Sequence, residues 1–276
     1  VWIRCSWTAA IKKSSRKRNF GVLLEFLIMQ ARFLTTIIIG AATSVTCLFF
    51  VCADLAAGSA DNIGVVKKKT SSGTNYLILE AHDQVDLDFA IARPSSKDPS
   101  MIACIPAAFS SHRGNISGFY AYKGGVHNID TTDRAISGAI EINDGKYRIF
   151  DTNRGALINK ELFDKLQKAK SSMFQQFQVV KNKQAEGFTD KSHYQRRCIA
   201  LMNNGERAII ESDESITLTD FAKDLVELGV ADAVYTDMGP WDEGWYKDPA
   251  TGRKVTIGHS CLLTGKQTNW VVFKKR

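Results

Sequence analysis

The chain has 276 residues, 44% hydrophobic and 24% charged, with a formal net charge of +7. The charge is uneven: residues 1–60 hold seven Lys/Arg and two Asp/Glu, which leaves 29 and 27 in residues 61–276, a net of only +2. The basicity therefore gives no argument for a nucleic-acid partner. There is also no repeat, low-complexity tract or long linker that would mark a solenoid or a disordered chain.

Residues 1–28 carry Lys12, Lys13, Arg16, Lys17 and Arg18 ahead of "FGVLLEFLI" and make a poor leader, so Met29 is expected to be the natural start and the first 28 residues an extension. Residues 29–60 read as a signal peptide. Arg32 supplies the positive flank, residues 33–53 are uncharged, and the small residues of "LAAGSA" offer exit at Gly58 or Ala60. The 21-residue apolar run is also long enough for a retained membrane anchor. On either reading the protein is exported, and it touches a membrane only through this segment.

The remaining 216 residues suit one domain. Strand-like runs follow at 75–80, 85–92, 101–106, 117–122, 136–142 and 146–151, and "NDG" at 143–145 joins the last two as a hairpin. A helix is predicted in "NKELFDKLQKAKSSM", capped by Asn159, with Leu162, Leu166 and Ala169 on its apolar side. Residues 174–180 return to a strand pattern.

Residues 196–239 form a β-β-α-β unit: "RRCIALM", the turn "NNGE", "RAIIES", a helix in "TLTDFAKDLVELG" capped by Thr219 and closed by Gly229, then the apolar strand "DAVYTD". The last strand should lie inside the sheet, since its apolar run does not alternate strictly. "NWVVF" at 269–273 is the final strand. The fold class is therefore α+β, with a mixed, largely antiparallel sheet. Cys104 and Cys198 sit in apolar runs and read as small buried hydrophobes; with Cys261 they also leave room for one disulfide.

The segment 193–240 resembles the core of the phosphodiester glycosidase domain, found in the enzyme that uncovers mannose 6-phosphate tags and in many exported bacterial proteins. Family members open a strand with Arg, follow with a hairpin and a short helix ending "LG", and close on a strand ending "NLDGG". Arg197, "VELGVADAVYTD" and Asp237 match these features. "KQTNWVVF" resembles the family's closing R-x-x-N strand, placing Lys266 at the Arg and Asn269 at the Asn; "MIACIPAAF" resembles an early strand. The chain departs from the pattern at Tyr235, Met238 and Pro106, and its Gly-rich loop has become "MGPWDEGWYKD".

The resemblance implies hydrolysis of a sugar-1-phosphodiester to a free sugar and a phosphomonoester. A phosphate needs little protonation to leave, because its second pKa is about 6, so the main requirement is positive charge around it. On this reading Arg197 grips the phosphate, and Asp237 stabilises the oxocarbenium-like centre or activates water. His193, Asp242 and Glu243 are further acid/base candidates, as are His127 and His259. Lys266, Asn269, Gly239, Trp241, Trp245 and Tyr246 are substrate-binding candidates, the aromatics stacking on sugar faces.

Each has a plainer reading. Arg197 could pair structurally, Asp237 could cap a turn, Asp242 and Glu243 could be loop charges, and the aromatics could form a hydrophobic lid. No metal or cofactor is called for. The partner class is a sugar phosphodiester or glycan, and a non-catalytic carbohydrate-binding or cell-envelope protein on the same fold is the alternative.

Overall fold

A computed structural model describes residues 63–111, 113–238, 242–259 and 264–276. The extension assigned to 1–28 and the leader assigned to 29–60 lie outside them, as do Gly239 and Trp241. Among the described residues, no helix is long and apolar enough to cross a membrane.

Among the described residues, three antiparallel sheets and two α-helices make up the domain. The largest sheet has seven strands in the order β1 (Ile63–Lys69), β2 (Asn75–Ala81), β13 (Arg207–Ser212), β12 (Arg197–Met202), β14 (Val230–Tyr235), β10 (Gln178–Lys181) and β11 (Gln184–Ala185). A five-stranded sheet runs β16 (Lys254–Ile257), β15 (Gly244–Lys247), β4 (Met101–Pro106), β17 (Trp270–Lys275) and β3 (Val85–Ala90). The other runs β6 (Gly125–His127), β5 (Tyr120–Tyr122), β9 (Ser172–Gln176), β7 (Gly138–Asn143) and β8 (Lys146–Asp151).

The β-β-α-β unit takes its expected form. β13 and β14 both pair antiparallel with β12, and the helix α2 (Leu218–Glu227) joins them. β14 lies inside the sheet, between β12 and β10. The β7–β8 hairpin turns at Asp144 and Gly145, with φ of 48° and 72°. Two successive left-handed residues suit the twist of the flanking strands, and glycine adopts that geometry without steric cost.

Helix α1 (Lys160–Ala169) starts where expected, with the Asn159 side chain accepting from the Leu162 N–H at 3.1 Å. Leu162 and Leu166 are buried, whereas Ala169 is exposed. In α2 the cap is Thr217, not Thr219: its Oγ1 accepts from the Asp220 N–H at 3.1 Å. Thr219 instead uses its hydroxyl to bridge the Phe188 backbone. Both threonines precede the same apolar face, so the periodicity could not choose between them.

Two other readings change. The run 174–180 is two strands in different sheets: β9 ends at Gln176 and β10 begins at Gln178, so the chain switches sheets at Phe177. The "GWYK" part of the aromatic stretch is a strand. In β15, Trp245 pairs with Cys104 and Thr256, and Tyr246 with Ala103 and Val255.

Strand alternation divides the core. On one face of the large sheet, Leu79, Ile199, Ile209 and Val234 pack with Phe89, Ile105 and Val271 of the second sheet and Ile140 and Phe174 of the third. On the other face, Ile78, Cys198, Ala200 and Ile210 meet Leu218, Phe221 and Leu225 of α2. Consecutive residues of β12 therefore face different layers, and this governs the site.

Candidate functional site

β14 ends at Tyr235, and the chain leaves the sheet through Thr236 and Asp237. The start of β12, the segment after β4 and the end of β16 meet it there. These elements enclose a cavity of about 790 Å³ whose lining includes Phe109, Arg196, Tyr235, Asp237, Asp242 and His259. Phe177, at the sheet switch, and Tyr194 complete an aromatic wall. Such a volume is of the size that takes a drug-sized or sugar-phosphate ligand.

Asp237 is buried, and its Oδ2 accepts from the Ser110 N–H at 3.2 Å. Its own N–H donates to the Ala107 carbonyl at 2.9 Å, fastening the two segments together. Asn269 braces the same loop. Its Oδ1 accepts from the Ala108 N–H at 2.6 Å, and its Nδ2 donates to the Ala108 carbonyl and to Ser110 Oγ at 3.1 and 3.0 Å. Asn269 is thus fully buried behind the loop, where it shapes the approach to Asp237 and does not line the cavity.

Asp242 is buried at the cavity wall, and both its oxygens meet His259: Oδ1 accepts from the backbone N–H at 2.8 Å, and Oδ2 lies 3.1 Å from Nδ1. A carboxylate only accepts, so the neutral imidazole carries its proton on Nδ1 and keeps a lone pair on Nε2. The His259 side chain is 74% exposed, so this nitrogen belongs to an accessible ring. Asp242 and His259 therefore form an oriented acid/base pair of the kind that serves proton transfer.

The cavity's guanidinium belongs to Arg196, not Arg197. Arg196 is 4% exposed and donates to the Ile216 and Ser192 carbonyls at 3.1 and 2.8 Å and to the Tyr235 hydroxyl at 3.3 Å. Its charge lies over the Tyr194 and Tyr235 rings. All these partners are neutral, and among the described residues no carboxylate forms an ion pair with it. Burial raises the Tyr235 pKa, while Arg196 pulls the other way and Asp237 adds to the rise, so the phenol stays protonated.

Arg197 is 0% exposed, on the opposite face of β12, where its Nε donates to Glu211 at 2.5 Å. It was expected to grip the ligand; the period-2 alternation turns it inward instead. The other expected residues also scatter. Trp245 packs with Cys104, Trp270 and Val272, and Tyr246 with the main core, so neither forms a sugar platform. Glu243 pairs with Arg93 at 2.5 Å and lies 3.8 Å from Lys254, off the cavity. Lys266 and His193 are exposed and do not line it, and neither does His127, which stacks on Tyr120.

Cys104 and Cys198 are free thiols. Burial pushes Cys104 up to about 12 and Cys198 higher still, so neither is a nucleophile. Among the described residues, no group of three His, Cys, Asp or Glu side chains gathers as a metal site.

No protein-family model matches the sequence, and no curated protein matches it. Solved structures do match in three dimensions, and two of them are informative. One is the zebrafish N-acetylglucosamine-1-phosphodiester alpha-N-acetylglucosaminidase catalytic domain, auto-inhibited by its pro-peptide: TM-score 0.53, 11% identity, covering 78% of this chain and 83% of that one. The other is a hypothetical protein from Synechocystis: TM-score 0.51, 12% identity, covering 78% of this chain and 62% of that one. The likeness is a distant one, and it is of fold.

Sequence reasoning missed Arg196 as the cavity cation, and the aromatic wall of Phe109, Phe177, Tyr194 and Tyr235. "RRCIAL" did contain a signal, since one of two adjacent strand arginines must share a face with Cys198 and Ala200. Which face opens to a cavity, however, is set by the elements packed on it.

Proposed function

We propose that the protein is a phosphodiester-glycosidase-type hydrolase that splits a sugar-1-phosphodiester into a free sugar and a phosphomonoester, acting as an exported protein with residues 29–60 as its leader. One observation carries this reading: a guanidinium bonded, among the described residues, to neutral groups shares one cavity with Asp237 and with an oriented Asp242–His259 pair. The distant fold likeness to a phosphodiester glycosidase catalytic domain supports it.

The chemistry assigns each group a task. Arg196 meets the phosphate, whose negative charge grows as the glycosidic bond breaks, and a guanidinium at the cavity wall favours that charge. Asp237 faces the anomeric carbon, where a carboxylate stabilises an oxocarbenium-like centre. His259, with Nε2 unprotonated and Nδ1 held by Asp242, takes a proton from the attacking water. The aromatic wall holds the C–H face of the sugar. The same aromatic wall also favours a second reading, a glycan-binding protein without turnover.

The test is to incubate the full chain with a panel of sugar-1-phosphodiesters and measure reducing sugar. The proposal expects release that falls by about a hundredfold or more in Asp237→Asn, in line with loss of a group that stabilises charge in the transition state. Binding without release favours the second reading, and an unchanged rate in Asp237→Asn contradicts the role of that carboxylate.

A further inference from the structure

Arg197 does not line this cavity, yet it is among the largest fully buried side chains of the domain. It sits directly across the ladder from Glu211, and the two form a buried ion pair. Removing two charges from water is costly, and a buried pair repays that cost only with further hydrogen bonds. Those bonds lead to one place. Arg197 NH1 donates to the backbone carbonyl of Asp242 at 3.0 Å, and Glu211 Oε1 accepts from the N–H of Gly258 at 2.9 Å. Gln195 Nε2 also donates to Glu211 Oε1 at 2.9 Å.

Asp242 and Gly258 are the ends that matter. One bears the carboxylate of the acid/base pair, and the other immediately precedes His259. The ion pair thus grips the backbone on both sides of a contact between side chains far apart in sequence. Gly258 fits this clamp closely: its φ is 68°, and a Cβ there would lie 2.6 Å from Arg197 NH2 and 2.6 Å from the Asp242 carbonyl.

We propose that Arg197 and Glu211 are a positioning pair that holds Asp242 and His259 in register at the cavity wall, fixing the imidazole with its proton on Nδ1 and Nε2 free. The catalytic importance of that orientation rests on the hydrolase reading; the positioning itself does not.

The direct readout is the His259 tautomer, from long-range ¹H–¹⁵N spectra of the labelled full chain recorded where the ring is seen to be neutral. The resonance is assigned by its loss in His259→Gln. The test variant is R197M/E211L, which removes both charges together and so leaves neither unpaired in the core. The parent is expected to show the Nδ1–H form, and the double variant the Nε2–H form that free imidazole side chains prefer. On sugar phosphodiesters, kcat should fall tenfold or more while KM stays within about threefold, the signature of a lost transition-state interaction.

A folded double variant that keeps the Nδ1–H tautomer overturns the proposal. Should the double variant fail to fold, Gly258→Ala perturbs the clamp without altering any charge. It should shift the tautomer in the same direction, and an unchanged tautomer in it overturns the proposal equally. If the parent turns over no phosphodiester, the tautomer still decides the positioning, and only the hydrolase reading falls.

Discussion

Two adjacent residues where β12 begins carry the same side chain to opposite faces of the sheet and put it to opposite uses. Arg196, on the helix-facing side, is bonded to two carbonyls and a phenol, forms no ion pair among the described residues, and presents its charge at a cavity. Arg197, on the side facing the other sheets, is neutralised by Glu211 and bonds the Asp242 carbonyl through NH1, while its buried NH2 finds no hydrogen-bond partner among the described residues. An arginine's role is thus set by its partners: neutral acceptors leave a cation that can recognise an anion, and a carboxylate turns it into a strut.

The largest expected difference between the faces is in stability. Arg197→Ala leaves Glu211 buried and unpaired, which should cost about 3–5 kcal/mol, whereas R197M/E211L should recover most of that loss; the denaturant midpoint measures both. Equal stability of the single and double variants would mean that the pair is not electrostatically isolated.

Next, Arg196→Ala should lower kcat/KM on a sugar phosphodiester by about 10- to 100-fold, the size of a lost charged hydrogen-bonding contact of about 1.5–3 kcal/mol. Arg196→Lys should restore part of it, because a point charge replaces a planar fork. Initial-rate kinetics read this, and a lysine variant as fast as the parent would remove the need for a two-pronged contact.

Smaller again is Tyr235→Phe, which removes the hydroxyl that accepts from Arg196. It should cost about 1 kcal/mol in ligand affinity, read by calorimetric titration. On the same face, Thr217→Ala should destabilise α2 by about 1 kcal/mol through loss of the N-cap. Thermal unfolding of Thr217→Ala beside Thr219→Ala would show which threonine caps the helix.

Much of the fold was legible because its signals are local. The "NDG" turn, the Asn159 cap and the β-β-α-β pattern are each written in a few neighbouring residues, and they appear as read. The misses share another cause. β15 is four residues long, and "GWYK" looks like a loop aromatic cluster until β4 and β16 are placed on either side of it. The break at Phe177 is visible only when two sheets exist to switch between.

The site was less legible for the same reason. Asp237 and Asp242 could be picked out as carboxylates after a strand, and both line the cavity. His259 carried no spacing that tied it to Asp242, because their contact depends on a clamp built from β12 and β13. The choice between Arg196 and Arg197 turned on a one-residue phase that only packing can set.

The most direct test is calorimetric titration of a sugar-1-phosphate into the full chain, into Arg196→Ala and into R197M/E211L. The account predicts binding by the parent, a loss of at least about tenfold in Arg196→Ala, and affinity close to the parent's in the double variant. Equal binding by Arg196→Ala and the parent, or loss confined to the double variant, would contradict the assignment of the anion site to the helix-facing side of β12.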